Sequence, residues 1–385
     1  MKKKALLLGL GISGTSAQKL LEKRGYEVVG VDDEKAPKEI DTLHEFSLFV
    51  PSPGVSRSHP LYQRALQAKI EIAGEAQLAL SEVRAPCIGV TGTNGKTTIV
   101  EMIAHCLKKC GRPARAVGNV GEPIGSHIGE EEILVVELSS FQLETMKVKA
   151  FDLAFILNIE EDHLDRYESF EEYAKAKARL ERCVKDGGEF YLSEPAWKRF
   201  GSLFTPSCSI LRSGNSIIEI LSHVADHFQI ERELFLEARF SFSKRPHRLE
   251  WVRMVDGVSY YNDSKATNVA ATLHGLRAIS GKVVLLLGGQ EKGLSFAPLL
   301  DANESLSFVI AFGAAREKIA DALKPLIEVH QEEILSDALE LAREKAKKGE
   351  TILFSPGCAS FDAYSGYEER GEEFKQLVKR LGDSS

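Results

Sequence analysis

The sequence predicts an α/β protein of three successive domains: a Rossmann-like N-terminal domain, a central P-loop nucleotide-binding α/β domain and a C-terminal Rossmann-like α/β domain. Three observations predict it. The 385 residues exceed what one ordinary core organises. Short apolar runs alternate with helical patterns along most of the chain, as in parallel sheets. Two glycine-rich loops, GLGISG at 9–14 and GTNGKTT at 92–98, each stand between a strand pattern and a helix pattern. The expected boundaries are 1–84, 85–245 and 246–385.

The N-terminal domain opens with KKALLLGL, a helical SGTSAQKLLEKRG and then YEVVGVDD, a βαβ unit whose second strand ends in acid. Three lysines before an apolar run imitate a signal peptide. The run is short, breaks on glycines and lacks a small-residue cleavage pattern, so a buried first strand explains it better. SLFV before PSPG, and KIEIAG, continue the alternation. APCIGV begins the central domain, followed by the second glycine loop and the helical TTIVEMIAHCLKKCG. ILVVELSS and FDLAFILNI read as buried strands of the same sheet. Between Gly187 and Ser243 the pattern weakens and strands are not placed. In the C-terminal domain PHRLEWVRMVDGVSYYNDS reads as a hairpin turning at Asp256-Gly257. Helix and strand then alternate through GKVVLLLGG, SFVIAFG and TILFSP to a last helix, YEERGEEFKQLVKRLG.

Composition excludes several classes. A net charge of -7 gives no basic field to gather nucleic acid or anionic lipid, so neither partner is expected. No stretch reaches the ~18 to 20 apolar residues of a membrane span. The six cysteines are scattered with no Cys-x-x-Cys pair, which fits reduced thiols and a cytoplasmic setting.

The motifs carry phosphate chemistry. Gly9, Gly11 and Gly14 would let a pyrophosphate approach a helix N-terminus, with Asp32 accepting from a ribose or a base. Alone, this fits an NAD dehydrogenase equally well. In the second loop the backbone from Gly92 to Thr97 can cradle phosphates, Lys96 supplies positive charge and the Thr97 hydroxyl suits Mg²⁺. Val90 holds the usual first glycine position, so the generic pattern is not met literally. Glu137 ends a downstream strand, where an acid holds the magnesium of a nucleotide or stays merely solvated. His163 lies among Glu161, Asp162 and Asp165, as a helix cap or a second metal ligand. Lys175 and Lys177 fit exposed helix lysines on charge pattern alone. HVADH at 223–227 has zinc-helix spacing but no adjacent glutamate, and reads as packing. In the last domain Asp263, Lys265 and Thr267, then Lys292, then Ser360, follow three strands of one sheet. Lysines and hydroxyls converging at that edge describe a carboxylate site.

TGTNGKTT, ELSSFQLE, NIEEDHLDRY, PHRLE, NDSKATN, LLLGG and SPGCASFD occur in the order seen in the Mur ligases, and from the first glycine loop to the last helix the chain resembles that family. Within that resemblance the DSKATN loop is similar to that of the branch that adds D-glutamate to UDP-N-acetylmuramoyl-L-alanine. The resemblance implies an ATP-dependent, cytoplasmic, monomeric ligase of peptidoglycan synthesis that works through an acyl phosphate. It implies ATP and two Mg²⁺ ions as cofactors. It puts Gly92, Thr93, Asn94, Gly95, Lys96, Thr97 and Thr98, with Arg248 and Asp263, on ATP. Thr97, Glu137, His163 and a carbamylated Lys177 would hold metal, with Lys175 as the fallback for the carbamate. Lys96, Glu137, His163 and Lys177 form the implied catalytic set.

For the nucleotide sugar the resemblance implies Gly11, Ile12, Ser13, Gly14, Asp32, Asp33, Ser52, Pro53, Gly54 and Asn119, with Asp32 and Asp33 near the uracil. Lys265, Thr267, Lys292, Ser360 and Tyr367 would surround D-glutamate. The chain departs from the family pattern in a short stretch between Gly187 and Ser243. There Asn215 is followed by isoleucines, with Ile217 or Ile218 near a second asparagine that usually meets adenine. Tyr367 stands where phenylalanine is common.

Overall fold

The computed structural model describes residues 2–33, 40–119, 121–164, 166–212, 216–243, 245–293 and 295–382. The chain is an α/β protein with three sheets. The first is parallel and holds β1 (Lys4–Leu8), β2 (Glu27–Val31), β3 (Leu48–Pro51) and β4 (Glu71–Ile72) in the order β2-β1-β3-β4. Strand order reverses at β1, so its C-terminal end opens a crevice. The first glycine loop lies there, leading into the helix Ile12–Lys23. A Cβ on Gly14 would stand 2.0 Å from the Gly9 carbonyl oxygen, so only glycine lets this helix begin so close to the strand.

The second sheet holds β5 (Cys87–Thr91), β6 (Ala114–Gly118), β7 (Ile133–Glu137), β8 (Phe151–Ile156), β9 (Val184–Ser193) and β10 (Ser209–Leu211), all parallel, in the order β10-β9-β8-β5-β7-β6. β5, β7 and β8 are nearly or wholly buried, as strands covered on both faces must be. The second glycine loop follows β5 and opens the helix Lys96–Lys109. β9 and β10 fill the stretch where the sequence pattern is weak. β9 starts half-exposed around Gly187, its register against β8 shifts between Phe151 and Leu153, and β10 is a three-residue edge strand. Neither presents the apolar run that marks a buried strand.

The third sheet has the hairpin β11 (Glu250–Val255) and β12 (Val258–Asn262), then β13 (Val283–Gly288), β14 (Leu306–Phe312), β15 (Val329–Glu332) and β16 (Thr351–Gly357). Its order is β11-β12-β16-β13-β14-β15, parallel apart from the hairpin. The hairpin turns at Asp256 and Gly257, both with positive φ (52° and 78°), as a two-residue turn requires. Alternate residues of the central strands feed two cores. Val284, Leu286, Ile310, Ile352 and Phe354 face one side, and Val283, Leu285, Leu287, Val309 and Leu353 the other.

Contacts divide the chain into two compact units, one of 1–159 with 171–242 and one of 160–170 with 243–385. The first holds the first two sheets. Its parts are joined by the buried Glu75, whose Oε1 accepts from Ser16 Oγ and from the Gly125 amide, both at 2.9 Å. The second unit holds the third sheet and the short segment 160–170. Among the described residues all six cysteines are unpaired, and no helix is long and apolar enough to cross a membrane.

Phe354 of β16 stacks on Phe374 of the helix Tyr367–Arg380 at 4.6 Å between centroids, both fully buried. Truncating Phe374 to alanine should destabilise the second unit by about 3 to 5 kcal/mol. Urea unfolding should show the shift. Phe361→Ala, removing a ring that is 70% exposed, should move the same transition by no more than about 0.5 kcal/mol.

Candidate functional site

Both glycine loops lie at C-terminal strand ends, and their geometry follows from local hydrogen bonds. In the first, Ser52 Oγ donates to the Gly9 carbonyl (2.8 Å) and Asp32 Oδ2 accepts from the Leu10 amide (2.7 Å). Asp32 thus uses one carboxylate oxygen to shape the loop. Asp33 is more exposed and faces His59, with Oδ2 3.2 Å from Nε2. Gly11 caps the helix without a side-chain bond, and the amides at Ile12, Ser13 and Gly14 have no partner inside the helix by geometry, the usual basis of an anion site. Ser52, Pro53 and Gly54 follow β3 on the other side of β1. A cleft of about 410 Å³ nearby is lined by Val31, Asp33, Ile40, His59, Leu61 and Arg64 among others, a volume suited to a ring-sized group.

In the second loop, Asn158 at the end of β8 is the organiser. Its Oδ1 accepts from the Thr93 amide (2.9 Å) and the Asn94 amide (2.8 Å), and its Nδ2 donates to the Asn94 carbonyl (3.0 Å). Gly95 is the N-cap of the helix that carries Lys96, Thr97 and Thr98 in its first turn. Lys96 Nζ donates back to the Gly92 and Thr93 carbonyls, each at 2.8 Å. Lys177, 1% exposed on the helix Phe170–Arg182, donates to the same Gly92 carbonyl at 2.7 Å and lies 4.5 Å from the centroid of the Tyr173 ring. Lys175 is exposed and pairs with Glu172 at 2.8 Å. The charge-pattern reading of two surface lysines therefore holds for Lys175 and fails for Lys177, whose helix face packs against the loop.

Glu137 ends β7, directly opposite Val90 in the register with β5. It is 2% exposed. Oε1 accepts from Asn119 Nδ2 at 2.9 Å, while Oε2 is buried without a hydrogen-bond partner among the described residues. Such a bare anionic oxygen is costly unless a cation takes it, and a hard oxygen donor fits Mg²⁺. Asn119, expected to face the nucleotide sugar, spends its amide group on Glu137. Among the described residues no three His, Cys, Asp or Glu side chains gather into a metal-binding group.

His163 belongs to the second unit, while Thr97, Glu137 and Lys177 belong to the first. It has φ of 56°, and its amide donates to Asp162 Oδ1 at 2.9 Å. Asp162 is buried. Its Oδ2 accepts from Asn268 Nδ2 at 3.0 Å, and Lys292 Nζ stands 3.5 Å from Oδ1. Burial opposes its ionisation, but Lys292, His163 and the Asn268 bond outweigh it and hold the carboxyl below its ordinary value. Asp263 gives both carboxylate oxygens to its own unit, to the Leu249 amide (3.0 Å) and Ser355 Oγ (2.9 Å). The neighbouring Arg248 is half-buried.

Lys265 extends over the Tyr367 ring, with Nζ 3.8 Å from the centroid. Burial and a bond to Glu368 push the Tyr367 hydroxyl up to about 12, so it stays protonated at neutral pH. Thr267 is half-buried, and Ser360 is 2% exposed at the turn after β16. Asn215 and Asp165 lie outside the described residues, and Ile217 is partly exposed near the start of its helix.

The chain matches the family models for the Mur ligase middle domain over 90–196 and the Mur ligase glutamate ligase domain over 247–358. It is 37% identical to the UDP-N-acetylmuramoylalanine--D-glutamate ligase of Protochlamydia amoebophila, with 98% of each chain covered, and 35% identical to that of Aquifex aeolicus, also with 98% of each covered. Among solved structures it superposes on MurF of Thermotoga maritima in complex with ADP with a TM-score of 0.62 at 16% identity, covering 99% of this chain and 96% of that one. MurC of the same organism gives 0.60 at 17%, covering 98% and 99%. Two family models and relatives of more than 30% identity along nearly the full length establish that the chain belongs to the Mur ligase family.

Proposed function

We propose that this chain is an ATP-dependent ligase that adds D-glutamate to UDP-N-acetylmuramoyl-L-alanine, working as a monomer in the cytoplasm during peptidoglycan synthesis. Full-length similarity to enzymes carrying that name supports the substrates. The observation that carries the chemistry is the buried, unpartnered Oε2 of Glu137 one strand away from the loop bearing Lys96. In this reading 1–84 receive the nucleotide sugar, 85–245 receive ATP and 246–385 receive the amino acid.

The first glycine loop takes the diphosphate on the helix amides, and the cleft beside Asp33 takes the base. The backbone of 92–98 cradles the ATP phosphates, and Lys96 moves its ammonium from its own loop carbonyls to the transferring phosphoryl group. The alanine carboxylate attacks the γ-phosphorus and ADP leaves, giving an acyl phosphate; the amine of D-glutamate then attacks the acyl carbon, phosphate leaves and the nitrogen loses its proton. Thr97, Glu137, His163 and Lys177 as a carbamate are the residues that would hold magnesium, whose charge would offset the repulsion between carboxylate and triphosphate. Lys265 and Lys292, with Thr267, Ser360 and Tyr367, anchor the carboxylates of D-glutamate so that its amine is aimed. The family resemblance would also assign Arg248 and Asp263 to ATP.

Phosphate release from ATP should require both the nucleotide sugar and D-glutamate; equal release with L-glutamate, D-aspartate or L-lysine would move the specificity to another branch. Lys96→Ala should lower kcat by roughly a hundredfold or more while calorimetric binding of the nucleotide sugar persists, since that ligand is held by the first sheet. Joint loss of both would contradict this division. Lys177→Ala should lose activity and regain part of it with added short carboxylic acids, which replace the carbamate. Undiminished turnover in that variant would exclude the role.

A further inference from the structure

We propose that Arg370 is the positioning residue of the amino-acid site, a buried guanidinium that bonds the two loops carrying Lys265 and Ser360 and packs against the backbone that leads to Lys292. The proposal rests on the D-glutamate reading given above. Arg370 lies in the acidic helical run YEERGEEF, where an exposed arginine would be ordinary, yet it is 0% exposed. Its Nε donates to Ser264 Oγ (3.1 Å), Nη2 to the carbonyls of Ser264 (3.0 Å) and Cys358 (3.1 Å), and Nη1 to the Ala359 carbonyl (3.0 Å). No carboxylate is among these acceptors.

Ser264 Oγ passes the connection on to the Tyr367 carbonyl at 2.9 Å, closing a ring through the start of the arginine's own helix. The third loop reaches the guanidinium at Gly289, whose φ is +124°. A Cβ there would stand 2.8 Å from Nη1 and 2.4 Å from the Ala359 carbonyl oxygen. Gln290 and Ala359 then exchange two backbone bonds, both 2.9 Å. Every contact is therefore within a few residues of a side chain assigned to D-glutamate: Ser264 precedes Lys265, Ala359 precedes Ser360, and Gly289 and Gln290 precede Lys292.

Burying a guanidinium that has no carboxylate among its hydrogen-bond acceptors is expensive, so packing alone does not account for an arginine here. A planar fork with five donors is the side chain that can serve two separate loops at fixed angles. Burial lowers its pKa to about 10, with Cys358, Asp362 and Tyr364 opposing the fall, so it remains charged at neutral pH. Lysine, with one nitrogen, can hold only part of this set.

The test compares steady-state kinetics of the full-length wild type with Arg370→Met, Arg370→Lys and Ser264→Ala, with melting curves to establish that each is folded at the assay temperature. Arg370→Met should raise KM for D-glutamate roughly tenfold to a hundredfold, leaving KM for ATP and for the nucleotide sugar near their wild-type values. Arg370→Lys should fall between Met and wild type, and Ser264→Ala should raise the same KM by a smaller factor. An unchanged KM for D-glutamate in folded variants, or equal shifts in all three KM values, would overturn the proposal. Should Arg370→Met fail to fold, Ser264→Ala decides by the same criterion. If the wild type instead consumes another amino acid, the substrate reading falls, and the positioning role is read from the KM of that amino acid.

Discussion

Two lysine ammonium groups, from Lys96 and Lys177, donate to one carbonyl oxygen, that of Gly92. Like charges so placed repel. Much of the central sheet's design follows from that constraint. Anionic phosphates would relieve that repulsion. Conversion of the buried lysine to a carbamate would relieve it differently, by changing the sign of one partner. Glu137, one strand away with a buried bare oxygen, supplies negative charge at the same edge. Asn158 and Asn119 are neutral groups that fix the loop and the acid without altering the balance.

In the second unit the charges are arranged on another principle. Asp162 and Lys292 approach to 3.5 Å with Asn268 as a third member, whereas Arg370 has only neutral acceptors. A guanidinium held by carbonyls and a hydroxyl gives the loops around it a fixed shape. Lys265 is spread over an aromatic ring, which orients its ammonium group.

Features set by local sequence were legible before the structure. The two glycine loops, the Asp256-Gly257 hairpin and the apolar strands each depend on a few adjacent residues, and the structure has them as expected. β9 and β10 were not legible because a half-exposed strand and a three-residue edge strand carry no continuous apolar signal. Lys177 read as a surface lysine by charge pattern, because its burial depends on a loop some 85 residues away in sequence, and only family resemblance singled it out. Asn158 and Asp162 stood inside a quoted motif with no assigned bond. Arg370 gave no signal at all: its partners lie up to 106 residues distant, and amphipathic spacing cannot distinguish a solvated arginine from one threaded between loops.

The segment 160–170 folds with the C-terminal unit although the chain on either side belongs to the other. The C-terminal unit is consequently not one continuous stretch of sequence. A chimaera that grafted residues 243–385 onto another ligase would leave Asp162 behind, stripping Asn268 of its acceptor and Lys292 of its counter-charge. Transfer of this unit intact, whether by recombination or by engineering, has to carry two separate stretches of sequence together.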